Sequence, residues 1–319
     1  MEKVIVGVDL GGTIVRAGAF DSRGSLLAVQ ETPIEAARGP ELGLRKIQGL
    51  IEQVLAEAGT TSLMGIGIGS TGPLDPIRGI INNPFTLPTW DNVPIVEWMQ
   101  KSFRVPVTLE NDADAAALGE YWQGAGRAAQ RLYAVTVGTG IGTALILDGQ
   151  IYRGLEGSHP EGGHMVLDPS GPLCYCKMRG CWEILCAGPS IERQARAADL
   201  TGSYLLELCE GDHEKISARI VFEAARTGDL AALSIVEKVS EYFTLAILNI
   251  AILFAPEVIV LSGGVMRSFD FFLPGIQRTM QSYRDMVPTH RIRIVPAQLG
   301  YYAGLYGSAY TIFKKTYDN

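Results

Sequence analysis

The chain opens on three short runs dominated by Val, Ile, Leu and Ala: KVIVGVDL, IVRAGAFD and SLLAVQET. Gly11-Gly12-Thr13 and Ser22-Arg23-Gly24 separate them. Runs of this length, rich in β-branched residues and closed by glycine turns, predict a three-stranded meander. The same succession returns as RLYAVTVG, Thr139-Gly140, IGTALILD, Gly149 and QIYRG, so the chain contains an internal repeat. Between the copies the apolar spacing predicts helices near 41–58 and 95–103, strands at GIGIGS and VPVTLEN, and a helix opened by Asp112. After residue 183 the pattern turns mostly helical, with a long apolar helix near 229–255. VIVLSGG and RIRIVPA read as two more strands, before a final helix near 303–315.

Two meanders, each followed by alternating helices and strands, imply two similar α/β lobes with mixed sheets and flanking helices. The expected division gives residues 1–112 to a smaller lobe, joined by the C-terminal helix of about 300–319. Residues 113–299 form a larger lobe with a helical insertion. A length of 319 residues agrees with two cores, since a single core stops growing near ~250 residues.

Composition narrows the classes. The longest apolar stretch, LAILNIAILFAP, ends at Pro256 and falls short of the ~18 residues of a membrane span. The amino terminus lacks the basic, apolar and small-residue regions of an export signal. Five cysteines, an odd number with three crowded together, suit a reducing compartment. A cytoplasmic protein without a membrane partner is therefore expected. A net charge of -7, with no run of Lys or Arg beyond two, argues against a nucleic-acid surface.

Three places carry candidate chemistry. The turns DLGGT and GTGIG could be plain hairpins, or could turn unobstructed amides and a Thr hydroxyl toward phosphate, and their pairing favours phosphate. Gly67-Ile68-Gly69-Ser70-Thr71-Gly72 formally fits a dinucleotide fingerprint, but Pro73 and Pro76 stand where its helix would open, and no Gly-Lys dipeptide supports a Walker loop. The segment from His159 to Glu183 gathers two histidines, three cysteines and two glutamates, a density that suggests a metal site.

VGVDLGGT, VTVGTGIG, LENDADAAALGE, PEGGH followed by CYCKMRGCWE, and VLSGG stand in an order and spacing that resemble the ROK family of bacterial sugar kinases and sugar-responsive repressors. The resemblance covers nearly the whole chain. It implies a hexokinase/actin-like ATPase (ribonuclease H-like) fold with ATP phosphates held between the lobes, and Mg2+ as the usual partner of ATP. Asp9, Gly11, Gly12, Thr13, Thr139, Gly140, Gly263 and Gly264 fall at the matching cofactor positions. Gly72, Asn111, Asp112, Glu161, His164 and Glu183 fall at the sugar positions, for a hexose or N-acetylhexosamine. His164, Cys174, Cys176 and Cys181 match the structural zinc ligands, and His164 also reaches the sugar through its other ring nitrogen. His159 is then not a ligand, and Cys186 and Cys209 read as core residues.

The activity implied is ATP-dependent phosphorylation of a hexose hydroxyl with Asp112 as general base, glucose to glucose 6-phosphate being favoured. N-acetylmannosamine, N-acetylglucosamine or fructose as acceptor, or a non-catalytic sugar-binding regulator, stand as alternatives. Repressors of the family carry an added amino-terminal DNA-binding domain, whereas the first strand here begins by Lys3, so an enzyme is expected; homodimers or higher homo-oligomers are frequent in the family. Each residue also has a plainer reading. Asp112 could simply cap its helix, Asp9 could cap its turn or orient Mg2+ through water, and Glu161 and Glu183 could be solvated carboxylates.

Three departures from the family pattern stand out. Lys177 replaces the usual Gly after the second cysteine and is expected to alter the local turn. Tyr301 replaces an acid in GYYAG. Thr86 replaces an Asn in the loop NNPFTLPTW, which is longer than the typical glucokinase form.

Overall fold

A computed structural model describes residues 3–317 and builds the first meander as β1 (Val4–Leu10), β2 (Ile14–Phe20) and β3 (Leu26–Pro33). β2 is antiparallel to both neighbours. Helix α1 (Pro40–Glu57) follows, with Pro40 in its first turn, where a missing N–H costs nothing. Its buried stripe of Leu44, Ile47, Leu50, Ile51 and Val54 repeats at helical spacing. The chain returns through β4 (Leu63–Ser70), the small ribbon β5 (Leu74–Asp75) and β6 (Ile80–Ile81), helix α2 (Ile95–Phe103) and β7 (Val107–Asn111). Helix α3 (Asp112–Gln123) starts where β7 ends. β4 adds parallel to β1, and β7 parallel to β4, so the sheet order is β3-β2-β1-β4-β7.

The second meander repeats this plan with β8 (Arg131–Val137) and β9 (Ile141–Leu147). Its third strand shrinks to β10 (Gln150–Ile151). Helices α4 (Trp182–Cys186), α5 (Gly188–Arg196), α6 (Tyr204–Leu208) and α7 (Ala218–Arg226) precede the long α8 (Leu230–Phe254). Asp229 caps α8 by accepting from Ala232 N–H, and Pro256 stands just past its end. β11 (Val258–Ser262), α9 (Phe269–Ser282), β12 (Arg293–Pro296) and α10 (Ala303–Tyr317) complete the chain. β8 pairs antiparallel with β9 and parallel with β11, and β12 continues parallel. The antiparallel meander extended by parallel strands thus occurs twice, as the repeated pattern predicts. No helix among the described residues is long and apolar enough to cross a membrane.

The chain divides into two compact units. One holds the residues up to Ala128, Gly149–Ile151 and those from Gln298 onward, and the other holds Ala129–Asp148 and Tyr152–Ala297. α3 lies in the first unit, whereas the sequence reading gave it to the second lobe. It packs along α10, and the two helices touch at glycines: a Cβ on Gly119 would stand 2.2 Å from the Ala303 carbonyl oxygen, and one on Gly307 1.5 Å from that of Ala115. α10 approaches the sheet just as closely, since a Cβ on Gly67 would meet the Ser308 carbonyl oxygen at 1.7 Å. The GIGIGS glycines therefore serve helix-to-sheet contact and not a dinucleotide. Gly67→Ala should lower stability by about 2–3 kcal/mol, because backbone rather than a flexible side chain must move; denaturant midpoints at unchanged m-value would measure it.

Glu120, buried near the end of α3, ties this corner together. Its carboxylate accepts from Ala125 N–H (2.8 Å), Gln298 N–H (3.0 Å) and Leu299 N–H (2.7 Å), holding the segment that enters α10.

Candidate active site

Parallel pairing aligns the carboxyl ends of β1, β4 and β7: Leu10 sits opposite Ser70, and Ser70 opposite Asn111. Whatever follows those residues emerges along one edge of the sheet, the side on which open α/β sheets place ligands. Here it is Gly11-Gly12-Thr13, Thr71-Gly72 and Asp112.

Asn111 has extended backbone and its Oδ1 accepts from Ala113 N–H at 2.9 Å, so Asn111 is the cap of α3. Asp112 is the first helical residue, and its Oδ1 also accepts from Ala113 N–H, at 2.8 Å. The plain reading of Asp112 as the cap is thereby displaced by one residue. Burial raises the Asp112 carboxyl above the ordinary aspartate range, against the pull of the Ala113 amide, with the charges of Asp9 and Asp114 adding to the rise. A carboxylate made more basic in this way suits proton abstraction. Gly72 lies beside Asn111, where a Cβ would come within 3.3 Å of Nδ2.

Asp9 does not cap the turn. Its Oδ2 pairs with Arg16 Nη1 at 2.7 Å, Arg16 Nε reaches Glu31 at 2.8 Å, and the guanidinium lies over the Tyr301 ring, 3.4 Å from its centroid. Burial raises the Asp9 carboxyl and Arg16 opposes that rise. Tyr301 thus meets a cation by its face, and its hydroxyl donates to Glu31 at 3.2 Å.

In the Gly11-Gly12-Thr13 turn neither glycine has positive φ. Gly12 is needed for clearance, because a Cβ would stand 2.8 Å from the Thr86 carbonyl oxygen. Thr86 in turn belongs to a knot of hydroxyls: its Oγ1 lies 2.6 Å from Thr71 Oγ1, and the fully buried Asn83 donates to Thr71 Oγ1 at 2.7 Å and accepts from Thr86 N–H at 3.1 Å. This knot, which the sequence reading did not identify, ties the loop NNPFTLPTW to Thr71 just past β4.

In the second unit, β8 and β11 run parallel with Thr136 opposite Ser262, so Gly138-Thr139-Gly140 and Gly263-Gly264 leave the sheet at one edge. Gly263 has φ 94, and a Cβ there would strike the Val137 carbonyl oxygen at 2.2 Å, so glycine is required by both conformation and space. Gly264 and Thr139 are exposed. Gly140 abuts Glu183, whose Oε2 accepts from Ile141 N–H at 2.7 Å and would lie 2.5 Å from a Cβ on residue 140. Glu183, assigned to sugar, and Gly140, assigned to nucleotide, are therefore neighbours.

The metal candidates come together as the spacing predicts. The ligand atoms of His164, Cys174, Cys176 and Cys181 lie within 4.8 Å of one another. Cys176 Sγ and Cys181 Sγ are 3.4 Å apart, too far for a disulfide, and Cys174 Sγ is 3.8 Å from His164 Nδ1. Bonds of about 2.3 Å to sulfur and 2.0 Å to nitrogen around a tetrahedral cation imply edges of roughly 3.5–3.8 Å, so the set fits a closed Cys3His site. The Met178 amide lowers the Cys176 thiol, while burial and the neighbouring thiols push Cys181 up to about 12. A dication would relieve that crowding of sulfur charge. His159 lies outside the set, and Cys186 and Cys209 are buried.

Lys177 keeps the turn it was expected to alter. It adopts φ 73, the left-handed conformation natural to glycine, and its N–H donates to the Cys174 carbonyl at 2.9 Å. The strain is about 1–2 kcal/mol. Tyr175, passed over in the sequence, places its hydroxyl 2.9 Å from His164 Nε2. Partial desolvation and the Glu183 charge push the phenol up to about 12, with Cys174 and Glu161 contributing more weakly. Glu161 itself is exposed, in a loop where Gly162 N–H donates to Thr143 Oγ1 at 3.0 Å. The site residues are thus assembled as two sets, each within its own unit.

Residues 5–315 match the ROK family profile. A glucokinase of Thermotoga maritima is 33% identical over 308 residues, which are 96% of each chain. Among solved structures, a ROK hexokinase from Thermus thermophilus superposes with a TM-score of 0.83 at 32% identity, covering 99% of this chain and all of that one. A ROK family glucokinase from Streptomyces griseus, solved in complex with glucose and AMPPNP, gives a TM-score of 0.71 at 30% identity, covering 96% of this chain and 98% of its own.

Proposed function

This chain belongs to the ROK family, and from that footing we propose that it transfers the γ-phosphoryl group of ATP to a hydroxyl of a hexose, with glucose the first expectation. The observation that carries this reading is the state of Asp112: a carboxylate not needed as the helix cap, half-buried, and raised by its surroundings toward the basicity a general base requires. The relationship to a glucokinase bound to glucose and an ATP analogue supports it.

In this reading the sugar hydroxyl gives its proton to Asp112 as its oxygen attacks the γ-phosphorus and ADP departs. Asn111 spends Oδ1 on the helix cap, so its Nδ2 is the group that donates to the sugar, with Gly72 keeping that side clear. Glu161, Glu183 and His164 Nε2 take further sugar hydroxyls. The amides of Gly11, Gly12, Thr13, Thr139, Gly140, Gly263 and Gly264, with the two Thr hydroxyls, spread phosphate charge. Asp9, braced by Arg16, would orient Mg2+, which neutralises charge on the phosphates when bound. His164 Nδ1 and the three cysteines would hold a structural zinc, with no protein position left for reactive water.

A coupled ADP-release assay across glucose, mannose, fructose, N-acetylglucosamine and N-acetylmannosamine tests the proposal. Sugar-dependent ADP release, highest with glucose, is the expected result. Binding of one of these sugars without ADP release from any would replace the kinase by a non-catalytic sugar-responsive role.

A further inference from the structure

Between the first two cysteines of the metal set stands a residue that neither the metal nor the phosphoryl transfer uses. We propose that Tyr175 is an internal competitor for the sugar, its phenol holding on His164 the place that a sugar hydroxyl takes. The inference rests on the reading of His164, Glu183 and Glu161 as sugar-facing.

Three observations support it. The first is chemical. A phenol, like a sugar hydroxyl, both accepts and donates. With a metal on His164 Nδ1, which lies 3.8 Å from Cys174 Sγ, Nε2 would carry the ring proton and donate to Tyr175 Oη, 2.9 Å away. Tyr175 Oη thereby occupies the one hydrogen-bond position that His164 offers to a sugar hydroxyl. The second is steric. The ring stands edge-on to the imidazole, with centroids 5.0 Å apart and an 84° interplanar angle. One N–H has one direction, so a sugar oxygen cannot share Nε2 in line with the phenol. The third is the freedom to leave. Tyr175 is 77% exposed, while the backbone on either side is held by Cys174 N–H to the Met178 carbonyl at 2.8 Å and Lys177 N–H to the Cys174 carbonyl at 2.9 Å. Displacement is then a rotation of one side chain, with the metal loop in place.

Tyr175→Phe separates competition from packing, since it keeps the ring and removes only the hydroxyl. For the panel sugar with the highest turnover, KM and the calorimetric Kd without nucleotide should both fall roughly fivefold, the yield of about one lost hydrogen bond. Turnover number, KM for ATP, metal content and melting temperature should stay at wild-type values. The ultraviolet difference spectrum on adding that sugar should show a tyrosine band in the wild type that the Phe variant lacks. Tyr175→Gly should tighten the sugar at least as much. Sugar affinity unchanged or weakened in both variants, at wild-type metal content, would overturn the competitor role while leaving the kinase reading intact; failure of the wild type to bind any panel sugar would remove both.

Discussion

Replacing Asp112 by Asn is expected to lower turnover by ~100-fold or more while sugar binding persists. The substitution leaves the architecture of the strand-to-helix junction alone. Asn111 remains the cap of α3, and an amide oxygen at 112 can still accept from Ala113 N–H as Oδ1 does. Only the proton acceptor disappears. The same residue sets the acid side of the pH profile: it acts ionised, and burial with the Asp9 charge raises its pKa, so kcat/KM falls as pH drops through a value above the ordinary aspartate range. The sign for stability is opposite. A carboxyl whose folded pKa is raised destabilises the fold at pH values above it, so Asp112→Asn should melt no lower than the wild type at neutral pH. Steady-state kinetics, calorimetric sugar titration and a melting curve on one preparation measure all three. Turnover near wild type would remove Asp112 from the mechanism.

Cys176→Ser is expected to release the metal, with thermal stability and sugar affinity lost together. Purified wild-type protein should carry about one zinc per chain, and the variant close to none. The coupling follows from the chain path. Glu161 and His164 precede the cysteines, Glu183 lies in the first turn of α4 two residues after Cys181, and Tyr175 sits between Cys174 and Cys176. A metal-free loop leaves the three sugar-facing groups without fixed positions, so the sugar KM should rise by at least about tenfold. Nucleotide affinity should change far less, because Gly11-Gly12-Thr13 and Gly263-Gly264 are positioned by their own strands. Metal analysis finding no zinc in protein purified without chelator, or a zinc-free variant with wild-type sugar affinity, would break this link.

Much of the molecule was legible along the chain because its information is local. The meanders declare themselves through β-branched runs closed by glycine turns, α1 and α2 fall within a residue or so of the expected bounds, and α8 runs from its Asp229 cap to the residue before Ala255-Pro256. The four candidate metal ligands are three cysteines within eight positions and a histidine ten before the first, which a single loop can bring together.

Tertiary structure decided what depends on neighbours distant in sequence. GIGIGS reads the same whether its glycines admit a pyrophosphate or a helix, and only the approach of α10, some 240 residues later, settles it for the helix. Tyr301 is a missing acid until Arg16 is seen beneath its ring, and Lys177 is a lost glycine until its left-handed φ shows the turn retained. Tyr175 carries no signal along the chain until its hydroxyl is found on His164. Periodicity and spacing along the chain record which residues an element presents. Burial, clearance and the partner of a charge arise only when separate elements pack, and those are the quantities that make Asp112 basic, bind Asp9 to Arg16 and put a phenol on the proposed sugar site.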